Sequence, residues 1–575
     1  MRPADLVLVG GRVHLGSTPP PNCPPEPSSL AVRRGRVVAL GTTDAVRGLA
    51  GPRTEVVELR GRPVLPGFVD AHVHPVHGGL QLLRCDLTPA TTPAECVGIV
   101  AEYVGGRGDS AQWVTGGGWS SALFPGGAPD RRQLDQLVPH RPVYLVDGDQ
   151  HNAWVNSRAL ALAGIDAATP DPPRGRIGRR SDGAPSGCLH EAACDLVARL
   201  IPPPDPAQML AALTAGRDTL HAVGITAWQD ALVGGYLGTP DPLATYLDAA
   251  ARGIVDVRAT GALWWAPDRG IEQIDDLVQR RHRAAGAGLR MRHVKIMQDG
   301  ICENGTAALG APYDNAPPGC RHPSGIAALS PEELADAVTV LERNGFGVHF
   351  HAVGDRAVRD SLDAVAAARQ RLGTAGRPPR HQIAHVQVVD PADHPRFAAL
   401  GVTATIQPLW AAAVPQMTTL ILPALGPRRA GWQYPFGSLH AAGARLAAGS
   451  DWPVSSPNPL CGIHVAVNRL PAVSSAAWLA AGRAWSPFLP AEAIGVATAI
   501  RAYTEGAAAV SGLGDLAGSL IPGRPADLVV LDRDPLRCLP DELEWIGVDL
   551  AIIGGQTRYA SDGRRPAGRP RVTAG

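Results

Sequence analysis

The chain has 575 residues, a formal net charge of +0 at neutral pH and a hydrophobic fraction of 45%. That length exceeds one ordinary hydrophobic core, so we expect one large domain and at least one smaller domain. The balanced charge excludes a strongly basic surface for nucleic acid or anionic lipid, and no segment approaches the roughly 18 consecutive apolar residues of a membrane span. We therefore expect a small-molecule substrate, no nucleic-acid partner and no membrane partner, and we leave a homodimer open as the assembly.

The N-terminal stretch MRPADLVLVGGRVHLG predicts a strand and a turn, because Gly-Gly-Arg interrupts its apolar run. A secretory signal peptide needs a longer apolar region, so none is predicted. The nine cysteines are scattered along the chain without a CxxC pair. Such usage favours a reducing compartment, and we expect a cytoplasmic protein.

Short alternating strands with glycine-containing turns occur near both ends of the chain, for example in ADLVLVGGRVHL and in ADLVVLDRDP. Chain termini often lie close together in a folded domain. We therefore expect residues 1–66 and 515–575 to form one composite β-sandwich, which flanks a central domain of residues 67–514.

Within the central domain, short apolar segments alternate with Ala-rich helical segments, which predicts a parallel sheet or barrel. Eight of these segments have the character of strands, and eight parallel strands close a (β/α)8 barrel. The predicted strands are residues 67–74, 224–230, 255–264, 291–300, 346–355, 381–388, 401–408 and 444–454. The expected fold class is thus α/β, a (β/α)8 TIM-type barrel with a composite β-sandwich.

The gap between the first two predicted strands is too long for one connecting helix. It predicts an insertion at about residues 80–215, with strand-like pieces of its own such as QWVTGGGW and RPVYLVDGD. We expect this insertion to shape the substrate pocket.

Polar side chains stand at or near the ends of five predicted strands. In a (β/α)8 barrel the carboxyl ends of the strands converge on one mouth, where catalytic groups are found. These residues are His72, His74, Lys295, His349, His351, His385 and Asp451. The first two have i and i+2 spacing, so their imidazoles project from the same face of a strand and suit one divalent cation.

Lys295 is the only lysine of the chain, so arginine fills the other 52 of its 53 basic positions. If lysines of this chain have generally been replaced by arginine, the retention of Lys295 has two interpretations. Lys295 forms an ordinary ion pair, or it has a role that arginine cannot take. A lysine that loses its proton can react with CO2 to form an anionic oxygen ligand, whereas arginine stays protonated.

The segment LPGFVDAHVHP resembles the first-strand signature of the amidohydrolase superfamily. The segments VKIMQDG, HAVGDRAV, AHVQ and GSDWPV are similar to amidohydrolase family 3, the branch that includes YtcJ-like proteins and N-substituted formamide deformylase. The resemblance extends from about residue 5 to about residue 560. It implies a metal-dependent hydrolase built on a (β/α)8 barrel with a composite β-sandwich.

The same resemblance implies a site for two divalent metal ions, with Zn2+ as the first expectation and Mn2+ or Fe2+ as alternatives. The implied ligands are His72, His74 and Asp451 for one metal, His351 and His385 for the other, and a carbamate on Lys295 that bridges both. His349 shares a strand face with His351, and we expect it to pack beside the ligands.

The implied reaction is hydrolysis of a C–N bond in an amide, formamide or cyclic amide by a metal-activated hydroxide. Asp451 would take a proton from the attacking water and deliver it to the departing nitrogen. An Asp in GSDWPVSSP is also typical of a turn or a helix N-cap. Three further alternatives stay open for the same metal site: ester hydrolysis, decarboxylation and isomerisation. A non-catalytic regulatory scaffold is a fourth.

Two stretches of the insertion, GGGWSS and DGDQHNAWVNSRAL, are similar to family segments that line the barrel mouth. The resemblance therefore implies that Trp119, His151 and Asn156 bind substrate. Hydrophobic packing is the alternative for Trp119. The family usually has a run like SxDGHSAWVNS, so the DQHN of this chain leaves the polarity of the pocket open. Glu191 also resembles a recurrent family position, with a surface helix as its alternative.

Overall fold

The computed structural model describes residues 2–16, 26–107, 113–236, 238–373, 380–473 and 485–561. Eight parallel strands form its central sheet and are neighbours in chain order. They are β1 (Phe68–Val73), β2 (Ile225–Val233), β3 (Ala259–Trp264), β4 (Arg290–Met297), β5 (Gly347–Ala352), β6 (Gln382–His385), β7 (Thr403–Ile406) and β8 (Arg445–Ala448). The sheet curves until β8 approaches β1, where the Asp451 N–H donates to the His72 carbonyl oxygen at 2.7 Å.

These eight strands confirm the predicted barrel. Six of the eight observed strands end earlier than predicted: β4, for example, ends at Met297 rather than at residue 300, and β8 at Ala448 rather than at residue 454. In contrast, β2 continues beyond residue 230 to Val233. The polar segments that follow, such as Gln-Asp-Gly, leave the sheet as turns. The predicted ligands therefore stand partly on strands and partly on the loops that follow them.

Helices surround the barrel on its outer side. Pro331–Arg343 shows how the sequence specifies one of them. The Ser330 side chain accepts the Glu333 N–H in a capping box, and an apolar stripe including Leu334 and Val338 packs inward. The helices of this layer are Pro75–Leu82, Pro206–Ala222, Leu243–Ala251, Ile274–Gly286, Pro331–Arg343, Asp355–Leu372, His394–Leu400, Leu422–Ala430, Phe436–Ala441, Pro459–Asn468, Val496–Arg501 and Ala507–Val510.

The chain between β1 and β2 carries a second sheet. Its strands in spatial order are Gly175–Arg179, Pro185–Glu191, Asn152–Val155, Val143–Asp147, Val114–Trp119 and Cys85–Asp86. Its helices are Pro93–Arg107, Arg131–Leu137, Ser157–Ala163 and Asp195–Ala198. The loop after Val143–Asp147 reaches the barrel mouth and lines the cavity there.

Two further sheets lie at the ends of the chain. One contains Leu6–Val9, Ser29–Arg33, Arg36–Gly41 and Glu55–Glu58, next to the short helix Thr43–Arg47. The other contains Arg12–Val13, Pro63–Pro66, Leu528–Leu531, Val548–Ile553 and Gln556–Ala560. Pro63–Pro66 pairs antiparallel with Leu528–Leu531, so both ends of the chain contribute to one sheet.

Buried apolar side chains of both sheets, including Leu8, Val32 and Val530, share one core. This arrangement is the composite sandwich of the predicted fold. Residues 1, 17–25 and 562–575 of its predicted extent lie outside the described residues. No helix within the described ranges is both long and apolar enough to cross a lipid bilayer.

Candidate metal centre

His72, His74 and Asp451 bring three potential ligand atoms together at the carboxyl end of the barrel. His72 lies on β1, and His74 and Asp451 lie on the loops after β1 and β8. The Asp451 Oδ1 atom is 3.2 Å from His72 Nε2 and 3.0 Å from His74 Nε2. The three ligand atoms all lie within 4.8 Å of one another. Two imidazole nitrogens and one carboxylate oxygen form a donor set that Zn2+ accepts.

Lys295 projects from β4 into the same buried space. Its side chain is 1% exposed, and its Nζ atom lies 3.5 Å from His72 Nε2. Burial lowers the pKa of the Lys295 ammonium to about 8, although the carboxylates of Asp451 and Asp230 oppose that change. More neutral amine is therefore present near neutral pH than on an exposed lysine, and the neutral amine is the form that can accept CO2.

His351 and His385 complete the group of buried imidazoles. Their ring centroids are 4.3 Å apart, and the His385 ring is 4.9 Å from that of His72. Burial, together with neighbouring cationic groups, lowers the pKa of both imidazoles well below its ordinary value. They are therefore held in the neutral form that binds metals.

Both ring nitrogens of His385 are buried without a hydrogen-bond partner within the described part of the chain. Buried polar atoms are normally hydrogen-bonded, so two free nitrogens on one imidazole require an explanation. A metal ligand at this position explains at least one of them. The residues present thus fit the divalent cation that the family resemblance implies.

The backbone at two of these residues adopts the left-handed region. The φ angle is 78° at His385 and 57° at Asp451. Such a conformation costs a non-glycine residue roughly 1–3 kcal/mol and persists only where the surroundings hold it. Here the Gln407 side chain accepts the His385 N–H at 2.8 Å.

Two neighbouring side chains lie beside His72 on β1 and His74 on the loop after it. His349 Nε2 lies 2.9 Å from His72 Nδ1, which leaves the opposite nitrogen of His72 facing Asp451 and Lys295. Asp230 Oδ1 lies 3.9 Å from His74 Nδ1. Sequence reasoning expected His349 to pack beside the ligands but missed Asp230, although Asp230 closes the predicted strand GITAWQD.

Two aspartates in the motifs that resemble the family accept hydrogen bonds from backbone N–H groups. Asp70 of GFVDAHVH accepts the N–H groups of His72 and Ser450 and so links the loops after β1 and β8. Asp299 of VKIMQDG accepts three backbone N–H groups, those of Ala308, Val353 and Gly354. Burial raises the pKa of each carboxyl to about 7 despite these bonds.

A cavity of about 470 Å³ opens directly above these residues. Its walls include His77, Trp410, Met417 and Tyr434 beside the candidate ligands. The Trp410 ring stacks on His385 with ring centroids 5.1 Å apart and an interplanar angle of 3°. This volume is enough for a small-molecule substrate.

His151 is the predicted substrate residue that lines this cavity. Its Nδ1 atom lies 2.8 Å from Glu191 Oε2. Burial disfavours the charged imidazole, but the Glu191 carboxylate outweighs that effect and raises the pKa of His151 to about 9. Glu191 ends the strand Pro185–Glu191 and also accepts a hydrogen bond from Thr306, so its proposed place on a surface helix is wrong.

The structure does not bring Trp119 and Asn156 to the cavity wall. Trp119 is fully buried, donates from Nε1 to the Leu145 carbonyl oxygen at 2.9 Å and packs against Trp154. The Asn156 side chain caps the helix Ser157–Ala163, and its amide nitrogen donates to two carbonyl oxygens of the preceding loop. Each polar group is already used inside the insertion, which explains why neither side chain lines the cavity.

Comparison with known proteins places this site in a family. Protein LONG AFTER FAR-RED 3 of Arabidopsis thaliana is 31% identical over 567 residues, which cover 97% of this chain and 92% of that protein. The putative amidohydrolase YtcJ of Bacillus subtilis is 29% identical, with 92% of this chain and 96% of that protein covered. N-substituted formamide deformylase of Arthrobacter pascens is 28% identical, with 93% and 95% covered.

A solved structure described as an uncharacterized metal-dependent hydrolase from Pyrococcus furiosus has the same fold, with a TM-score of 0.67. It is 23% identical, and the match covers 92% of this chain and 100% of that chain. The sequence model of the amidohydrolase family matches residues 55–559 of this chain. The resemblance predicted from the strand-end motifs is thereby confirmed, and the chain belongs to the amidohydrolase family.

Proposed function

We propose that the protein is a metal-dependent hydrolase that cleaves the C–N bond of an amide, formamide or cyclic amide. One observation carries this proposal: the ligand atoms of His72, His74 and Asp451 lie within 4.8 Å of one another at the barrel mouth. The only lysine of the chain lies beside them, and an open cavity lies above them. The name of the Arthrobacter pascens relative supports a C–N bond as the target.

His72, His74 and Asp451 would hold one divalent cation, and His351 and His385 a second, with a carbamate on Lys295 shared between them. Zn2+ suits these nitrogen and oxygen donors, and Mn2+ or Fe2+ are alternatives. When bound, such cations polarise the substrate carbonyl and lower the pKa of a water molecule toward neutrality.

Asp451 moves the proton in the proposed reaction. Burial alone would raise the pKa of Asp451, but the hydrogen bond from His74 and nearby charges keep it below its ordinary value. The carboxylate is therefore ionised near neutral pH and can accept a proton from water as its oxygen attacks the carbonyl carbon. When the C–N bond breaks, Asp451 returns this proton to the departing nitrogen.

The surrounding residues hold this arrangement in place. His349 fixes the ring of His72, and Asp230 lies beside the far nitrogen of His74. Asp70 accepts the backbone N–H groups of His72 and Ser450 and so sets the distance between β1 and β8.

We also propose a cytoplasmic location, because the eight cysteines within the described residues are all free thiols.

The experiment is a substrate panel. Protein loaded with Zn2+ or Mn2+ is incubated with N-substituted formamides, N-acyl amines, cyclic amides and the matching esters, while amine and acid release are followed. Amine release that depends on the metal supports the proposal. Acid from esters without amine from any amide would contradict it and favour ester hydrolysis.

Metal analysis together with anomalous diffraction tests the proposed metal ligands. We expect two peaks in the anomalous map beside Lys295.

A further inference from the structure

Two carboxylates meet on one amide nitrogen in the wall of the cavity. The Gln416 Nε2 atom donates to Asp149 Oδ2 at 2.9 Å and to Glu303 Oε1 at 2.7 Å. Asp149 comes from the insertion, Glu303 from the loop after β4, and Gln416 from the loop after β7. All three side chains line the same cavity as the candidate metal centre.

No lysine or arginine of the described residues forms an ion pair with Asp149 or Glu303. The chain contains 52 arginines among its 53 basic residues, yet none of them lines this cavity within the described ranges. The imidazole of His151 is the positive group that acts on both carboxyls, and it is already paired with Glu191 at 2.8 Å. The two carboxyls therefore have no lysine or arginine partner of their own in this wall.

Tyr434 points independently to a ligand at this wall. Its side chain is 2% exposed and lines the cavity, yet no described residue forms a hydrogen bond with its hydroxyl group. Burial and the nearby Glu303 raise the pKa of Tyr434 well above its ordinary value, so the phenol stays neutral. A neutral phenol can accept a hydrogen bond from a bound ammonium, and its ring face attracts cations.

The electrostatics of the pair agree with a site that binds a cation. Burial, followed by the charge of Asp149, raises the pKa of Glu303 to about 7. Burial also raises the pKa of Asp149, although His151 partly offsets the effect. An ammonium group between the two carboxylates would stabilise their ionised forms, because hydrogen bonds between ionised groups are the stronger ones.

We propose that Asp149, Glu303 and Tyr434 form a subsite for a cationic amine on the substrate. The substrate class is then an amide or formamide that carries an ammonium group at the end remote from the scissile bond. Gln416 positions the two carboxylates. The hydrolytic part of this inference rests on the proposed function, whereas the binding of a cation does not.

A kinetic comparison tests the substrate class. Formamides with an N-alkyl chain from propyl to hexyl are assayed in pairs that end in an ammonium group or in a methyl group. We expect the best ammonium substrate to exceed its methyl partner in kcat/KM by about tenfold or more, as for one charge-assisted contact. Glu303→Gln should remove this preference, so that the ratio of kcat/KM between the ammonium and methyl members of a pair falls to about one. The exposed Glu332→Gln is the matched control and should keep the preference.

A binding comparison separates this inference from the proposed function. Straight-chain amino alcohols and the corresponding alcohols contain no scissile C–N acyl bond and differ only in the cation. Calorimetric titration of the metal-loaded protein should show binding about tenfold or more tighter for the amino alcohol, and Asp149→Asn or Glu303→Gln should abolish the difference. Two variants are used so that a folding defect in one, seen by circular dichroism, leaves the other informative.

The outcomes are distinct. Charge-dependent binding without any amide hydrolysis would support the subsite and contradict the proposed function. Hydrolysis of ammonium and methyl formamides at equal kcat/KM, with equal binding of amino alcohol and alcohol, would overturn the subsite and leave the proposed function intact. A charge preference that persists in both Asp149→Asn and Glu303→Gln would overturn the assignment of these residues.

Discussion

The two ends of the barrel both bury histidines, but the hydrogen bonding of those histidines differs. At the amino end, His381 Nδ1 accepts the Val348 N–H at 3.1 Å and its Nε2 lies 2.5 Å from Glu342. His293 likewise has a partner for each nitrogen, Gln229 at 2.9 Å and the Arg380 carbonyl oxygen at 3.0 Å. At the carboxyl end, neither nitrogen of His385 has a hydrogen-bond partner within the described residues, and its Nδ1 lies 3.9 Å from Asp451 Oδ2.

Hydrogen bonding thus distinguishes His381 from His385, whereas burial does not. His381 and His385 are equally inaccessible, with exposed fractions of 0% and 1%. A buried imidazole whose nitrogens are both hydrogen-bonded stabilises the fold and has no free lone pair for a metal. A buried imidazole with free nitrogens is costly unless a ligand completes it. Substitutions at the two ends should therefore have different consequences.

Asp451→Asn should have the largest effect. Loss of the proton acceptor should lower turnover by about 10²- to 10⁴-fold, the range for general acid–base catalysis. An amide oxygen can still coordinate, so bound metal should be largely retained. Activity and metal content are measured on the same preparation. Near-normal turnover would contradict the role of Asp451, and complete metal loss would reduce it to a ligand.

His349→Gln should have the second largest effect. Because His349 orients the His72 ring, its loss should weaken metal affinity by about 10- to 100-fold, as is usual for partners of metal-bound histidines. Metal affinity is measured by competition with a chromophoric chelator. Turnover at saturating metal should recover, and a defect that persists at saturation would show that His349 acts in the reaction itself.

His381→Gln tests the amino end. It leaves the buried Glu342 carboxylate without its hydrogen-bond donor, so we expect a loss of about 2 kcal/mol in the free energy of unfolding. Metal content per folded molecule should not change, because both nitrogens of His381 are already used. His385→Gln is the matched variant at the carboxyl end, where metal content should fall instead. Similar metal loss in both variants would refute the distinction between the two ends.

The sequence was sufficient for the barrel and for the placement of the candidate metal ligands at its mouth. Alternation of apolar segments and helices predicted eight strands, and the period of two along a strand placed His72 and His74 on one face. The family resemblance then connected them with Lys295 and Asp451. These inferences depend on local pattern and on the convergence of parallel strands, both of which are visible in a single chain.

The insertion could not be predicted in the same way. Its motifs indicated a segment near the mouth but not which side chains face inward, so Asn156 proved to be a helix cap and Trp119 a core residue. Asp149, Glu303 and Gln416 come from three distant loops, and only tertiary packing brings them together. Asp230 differs, because its position at the end of a predicted strand was a usable signal.

The smallest predicted effect is a pH dependence at the amino end. Burial lowers the pKa of His293 to about 4. The hydrogen bond to the Arg380 carbonyl oxygen opposes this change, and the charges of His381, Arg292 and Arg380 reinforce it. The folded state therefore resists protonation of His293, whereas the unfolded chain protonates it near its ordinary value of about 6.5. Stability is thus fully present above that pH and is lost as the pH falls toward 4.

His293→Gln isolates this contribution. From pH 7 to pH 5.5 the His293 term should lower the free energy of unfolding by roughly 1 kcal/mol in the parent protein and not in the variant. The stability difference between the two proteins should therefore shrink by that amount, which urea unfolding at each pH measures. A constant difference across this range would show that His293 keeps an ordinary pKa in the folded protein. Burial and its two hydrogen bonds would then not hold this imidazole in the neutral form.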